Sequence, residues 1–168
     1  MKSLIIIFIS VCSIFANTTL VDVKKFSGLW YEIARIENSF QTSCVASSVE
    51  YQLQEDNSYK VFNRCFENDF DGKLIEYKGS AKLEQNKLDM TYFYILNSTY
   101  NITYINDYKT AVVANDDYSN LWIMSRTPSI NKNELNKILK DLKNKINLKD
   151  LVFTKVNPKG IYKWKLQY

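Results

Sequence analysis

Histidine is absent from this chain of 168 residues. Its absence removes the commonest general base, the usual haem ligand and most zinc sites. A Ser-His-Asp or Cys-His nucleophile system is excluded as well. No metal and no cofactor are therefore expected. Glycine and proline are scarce, at four and two residues. Flexible linkers are excluded by that scarcity, and the chain reads as one domain. The main apolar run, Leu4 to Val11, is too short to span a bilayer. Blocks of like charge are also lacking. Lys and Arg are mixed with Asp and Glu along the chain, for a formal charge of +4. That pattern is a solvated surface, with no nucleic acid as partner and a mild attraction to anionic membranes.

What is present begins with a leader. Lys2 is its basic start and Leu4 to Val11 its apolar centre. Cleavage after Ala16 makes residues 1–16 a signal peptide and leaves a domain over 17–168, secreted or periplasmic. The alternative is a lipid anchor to the outer membrane through Cys12, although Val11 is larger than the small residue such a site wants. Without the leader only Cys44 and Cys65 remain. An even pair in an exported chain points to a disulfide; the alternative is two free buried thiols. Asn17, Asn97 and Asn101 each open a glycosylation acceptor triplet.

After a helical turn over Asp22–Phe26, the spacing predicts eight short strands. They run Trp30–Ile36, Val45–Leu53, Tyr59–Phe66, Leu74–Leu83, Lys87–Leu96, Tyr100–Ile105, Thr110–Ala114 and Leu121–Ser125. Polar turn signals separate them, including Glu55–Ser58, Asp69–Gly72 and Asn106–Tyr108. Such a layout suits an all-β, up-and-down antiparallel barrel. The period then changes. Ile130, Leu135, Ile138, Leu139, Leu142 and Ile146 recur at helical spacing behind a cap at Ser129 or Asn131. This amphipathic C-terminal helix is expected to pack outside the barrel wall. A final strand follows over Leu151–Val156, and the tail from Gly160 to Tyr168 has no assigned place.

Three stretches carry a resemblance. They are Gly28-x-Trp30-Tyr31-Glu32-Ile33-Ala34-Arg35, then Asp116-Asp117-Tyr118, then Leu121-Trp122-Ile123-Met124-Ser125-Arg126-Thr127-Pro128. In this order and spacing the chain resembles the lipocalin family, nearest the branch of bacterial lipocalins and apolipoprotein D. The resemblance covers Val21 to Pro158 and implies a barrel closed at one end and open at the other. It also implies binding, storage or transport of a small hydrophobic ligand such as a fatty acid or lysophospholipid. At the closed end it sets Arg126 against Trp30 beside Gly28, a structural floor and not a catalytic centre.

The same resemblance makes Tyr51, Asn63, Tyr92, Tyr100 and Trp122 wall residues of the binding pocket. Strand alternation adds Met124, and also Val49, Val61, Met90, Tyr94, Ile102 and Tyr104. It points Glu32 and Ala34 inward with Trp30, and Tyr31 and Ile33 toward the helix. Glu32 needs a partner inside an apolar barrel, either an interior Arg or Arg126. Cys65 shares parity with Asn63. Ser39, Phe40 and Gln41 fall in the connection after the first strand, where Phe40 caps the mouth. The alternative for the aromatics is a barrel filled by its own side chains. For function, the alternative to a binding protein is an enzyme of the same fold acting on a lipid-like substrate. Whether the barrel forms a homodimer is left open.

Overall fold

Scarce glycine does not prevent tight turns in this chain, because asparagine and its neighbours take the left-handed conformations. In the computed structural model, which describes residues 20–93 and 95–156, Asn57, Asn68, Gln85, Asn86, Asp107 and Tyr108 all have positive φ. Gln85–Asn86 and Asp107–Tyr108 are paired positive-φ residues, the first forming a two-residue loop between twisted antiparallel strands and the second the centre of a three-residue loop closed by Lys109. Residues 1–19, where a leader is expected and where Cys12 and Asn17 fall, lie outside the described residues, as do Tyr94 and the tail after Val156.

A single helical turn, α1 (Val23–Phe26), is capped by the Asp22 carboxylate, which accepts from Lys25 N. Eight strands follow: β1 (Gly28–Ile36), β2 (Cys44–Leu53), β3 (Ser58–Glu67), β4 (Leu74–Glu84), β5 (Lys87–Tyr92), β6 (Leu96–Asn106), β7 (Thr110–Ala114) and β8 (Leu121–Ser125). Each pairs antiparallel with its sequence neighbour. β1 closes the barrel by pairing with β8 as well. A ninth strand, β9 (Leu151–Phe153), adds to the upper part of β1. Cys44 and Cys65 form a disulfide between β2 and β3.

The helix α2 (Lys132–Leu142) begins at Asn131, whose side chain accepts from Asn133 N and Glu134 N. Its stripe packs with Ile33, Val112, Leu121 and Ile123 on the outer wall of β1, β7 and β8. A second core fills the lower barrel with Phe26, Trp30, Tyr59, Val61, Leu88 and Ile102.

Five expectations need correction. The fifth strand ends at Tyr92, not Leu96, and β6 starts at Leu96, not Tyr100. Phe93 and Ile95 stand in the turn between them, and Phe93 takes a positive φ. The final strand stops at Phe153 instead of Val156. A register shift between Glu32 and Ala34 puts Ala34 in the helix-side core beside Ile33. A second shift, between Ile102 and Tyr104, turns Tyr104 to the helix, where its hydroxyl donates to Glu134 at 2.7 Å. Each bulge inserts one residue and reverses the parity beyond it.

The disulfide spans 21 residues. Replacing Cys44 and Cys65 together by serine is expected to lower stability by about 3 kcal/mol through the freed unfolded chain. Urea unfolding of the variant beside the oxidised protein measures this.

Candidate functional site

The floor is built on one arginine. Arg126 follows β8 and stacks on Trp30, its guanidinium carbon 3.8 Å from the ring centroid. It donates to Leu29 O at 2.8 Å, Lys25 O at 2.8 Å, Ser27 O at 2.8 Å, Phe26 O at 3.2 Å and Tyr108 O at 3.2 Å. These satisfy carbonyls around the end of α1 and tie three chain segments together. Gly28 lies beneath with φ +94°, and a Cβ there would meet Arg126 Nη1 at 3.3 Å. The conformation favours glycine, and a side chain there would also push the guanidinium back by a few tenths of an ångström. The Trp30 indole donates to Phe26 O at 2.9 Å. Phe26, Tyr51 and Tyr59 complete the packing, with ring centroids 5.2 Å and 5.5 Å apart. The barrel is therefore filled at this end.

Above the floor the side chains part around a cavity of about 280 Å³. Tyr51, Asn63, Tyr92, Tyr100, Trp122 and Met124 all line it, and so do Val49 and Met90. Its size lies at the lower edge of the range typical of small-molecule sites. Val61 and Ile102 sit in the filled core and not on this wall. Tyr77, Phe93, Leu96 and Val113 line the cavity too, and the sequence reading had missed them. Tyr77 falls opposite Asn63 in the β3–β4 register, so strand parity carried the signal for it. Phe93 and Leu96 were hidden by the misplaced turn.

Polar groups recur along the wall, Arg64, Ser48, Ser98 and Asn120 among them, and several are paired with their neighbours. Asn63 Nδ2 donates to the Tyr92 hydroxyl, which keeps its own proton for a further acceptor. Tyr100 meets Trp122 edge to face at 5.2 Å. Burial pushes the Tyr51 and Tyr92 phenols well above the usual tyrosine range, and Tyr59 below them likewise. A phenol whose folded pKa is raised stabilises the fold fully below its unfolded value, near 10. Above that, the unfolded chain releases the proton first and stability falls. Denaturant midpoints are expected to hold up to about pH 10 and then drop steeply. Phenolate absorbance should show the inner tyrosines ionising only as the protein unfolds.

Glu32 is the charged side chain facing this space from β1. Its partner is Arg35, not Arg126: Arg35 Nη1 donates to Glu32 Oε1 at 2.8 Å. The bulge after Glu32 brings the two together, and both are buried, at 5% and 4% exposure. Gln41 Nε2 donates to Glu32 Oε2 at 2.7 Å, and Thr154 Oγ1 donates to Oε1. Gln41 then accepts at Oε1 from the Trp122 indole at 2.9 Å and from Asn38 Nδ2 at 2.9 Å. One glutamine thus fastens the β1–β2 connection to the wall. Asn38, Phe40 and Gln41 of this connection line the cavity mouth. Nothing in the local sequence singled out Gln41 as the hub, since a polar loop residue is ordinary.

Among the described residues no cluster of three or more metal-ligating side chains occurs. No described helix is long and apolar enough to cross a membrane.

Comparison with known proteins agrees with this geometry. The family model for a lipocalin-like domain matches residues 21–154. A protein of Acanthamoeba polyphaga mimivirus named as a lipocalin is 33% identical over 130 residues, 71% of this chain and 75% of its own. The outer membrane lipoprotein Blc of Vibrio cholerae is 25% identical over 150 residues, 79% of this chain and 87% of its own. Insecticyanin of Manduca sexta shares the fold at a TM-score of 0.69 and 19% identity, covering 85% of each chain. With a floor, a mouth and an outer helix in the family arrangement, and a family match across nearly all described residues, this chain belongs to the lipocalin family.

Proposed function

We propose that this lipocalin is exported and carries a small amphipathic lipid in its barrel, with no chemistry performed on it. The reading rests chiefly on the cavity: aromatic walls, a filled floor beneath and a mouth above. Apolar burial at about 25 cal/mol per Å² is the driving force. The apolar body of a ligand lies against Met90, Met124 and Val113, with its polar end toward Tyr92, Asn63 and Tyr100. Fatty acids and lysophospholipids have this form. A binding role, not an enzymatic one, is supported by a chain that has no histidine and joins Cys44 to Cys65.

The same proposal takes residues 1–16 as a cleaved leader and 17–168 as the mature domain. Acylation at Cys12 is the alternative, kept in view by relatives named as outer membrane lipoproteins. The mass of the mature N-terminus distinguishes the two.

Titration of the mature protein with a monomeric lysophospholipid or fatty acid, followed by tryptophan emission, tests the binding. Saturable change is expected, because Trp122 lines the cavity. Trp122→Ala is expected to weaken binding by about tenfold or more, equivalent to about 1.4 kcal/mol. No change across several ligand classes would overturn the reading.

A further inference from the structure

Four large apolar side chains stand in solvent at the open end: Phe40 is 61% exposed, Phe93 55%, Ile95 77% and Leu96 46%. They come from the β1–β2 and β5–β6 connections and from the first residue of β6, on the rim of one mouth. Phe40, Phe93 and Leu96 also line the cavity, so the exposed patch and the cavity wall are continuous. Phe93 holds this place with φ +50°, a conformation costly for a bulky residue. The rim is also held in advance of any contact. Gln41 bonds to Glu32 at 2.7 Å, and Asn68 N donates across to Ser43 O at 2.7 Å. An apolar patch of this kind, continuous with a binding cavity, marks a docking surface.

Charge selects what docks there. The connections and strand ends around the mouth carry Glu37, Glu67, Asp69, Asp71, Asp116, Asp117 and Asp150, all exposed, against Lys73, Lys149 and Lys155, so acids stay in excess. Lys145 approaches from the helix side, where it donates to the Tyr118 hydroxyl at 2.8 Å. Two copies meeting rim to rim would face these carboxylates with their own, and an anionic bilayer would be repelled in the same way. A zwitterionic lipid surface carries no such penalty and offers apolar depth for the tips. We infer that the open rim, through Phe40, Phe93, Ile95 and Leu96, docks on a zwitterionic lipid surface and takes the ligand directly from it. The docking surface stands on the rim itself, and the transfer step rests on the lipid-carrier reading above. The chain's formal charge of +4 would by itself predict the opposite preference, for anionic membranes.

Flotation of the mature protein with phosphatidylcholine vesicles, and with vesicles containing added phosphatidylglycerol, tests this. Binding to phosphatidylcholine is expected, with no gain from the anionic lipid. Ile95 lies outside the cavity lining, so its substitution separates docking from ligand binding. Ile95→Ser should weaken vesicle binding about fivefold to tenfold, and Ile95→Trp should strengthen it. Affinity for a monomeric single-chain lipid should stay unchanged in both variants. The inference is overturned by no vesicle binding, by binding only when phosphatidylglycerol is present, or by Ile95 variants that bind as the parent does. Sedimentation that shows a dimer broken by Ile95→Ser would assign the rim to a second copy instead. Vesicle binding without any binding of the monomeric lipid would sink the carrier reading and leave the docking surface standing.

Discussion

Replacing Glu32 by alanine is expected to destabilise the barrel by about 3–5 kcal/mol. The reason is what remains behind. Arg35 is 4% exposed, and its Nη1 would lose the carboxylate 2.8 Å away. Arg35 Nε already has no partner, so the guanidinium would be left poorly satisfied in a dry place. Gln41 Nε2 and the Thr154 hydroxyl would lose their acceptor too. Those two bonds hold the β1–β2 connection and the segment after β9 against the wall. The loss should therefore appear twice, in the urea midpoint and in faster proteolysis near residues 37–43. Glu32→Gln keeps an acceptor for Gln41 and should lose markedly less. A midpoint shift below about 1 kcal/mol for Glu32→Ala would contradict the arrangement.

Trp30→Ala is expected to cost about 3–5 kcal/mol, as a deletion of a fully buried aromatic. Trp30 touches the Phe26 ring at 5.2 Å and supports the Arg126 guanidinium at 3.8 Å. Removing the ring also leaves Phe26 O without the indole donor. The damage should stay at the floor. Because the cavity begins above it, the folded fraction should keep its affinity for ligand within a few fold. Trp122→Ala should do the reverse, losing affinity and little stability. Unfolding and titration of both variants side by side would separate floor from wall; equal loss of affinity in the two would contradict that division.

Much of this was legible because the chain punctuates itself. Asp, Asn and Ser clusters marked most turns, and the apolar stripe from Ile130 to Ile146 marked the helix that packs on the wall. The three stretches around Trp30, Asp116 and Trp122 placed the floor, the last hairpin and the upper wall. What escaped was whatever breaks the two-residue period without a signal. The β1 bulge inserts a residue inside Glu32-Ile33-Ala34, a run of ordinary strand formers. It turned Ala34 outward and gave Glu32 its partner in Arg35. The β6 bulge did the same to Tyr104. The turn at Phe93 lacks glycine, proline, asparagine and aspartate, so the strand was read through it to Leu96. That error concealed the apolar rim, since Phe93 and Ile95 read as strand residues and not as loop tips, and Leu96 as the last residue of one strand and not the first of the next. Gln41 escaped because a hub is a property of three-dimensional neighbours.

The central claim is that the aromatic cavity takes up one small apolar ligand. Calorimetric titration of the protein with a single-chain lipid, kept below its aggregating concentration, tests it most directly. One-to-one binding of micromolar affinity or better is predicted, with a negative heat-capacity change from buried apolar surface. Absence of saturable heat at several temperatures, with fatty acid and lysophospholipid alike, would contradict it.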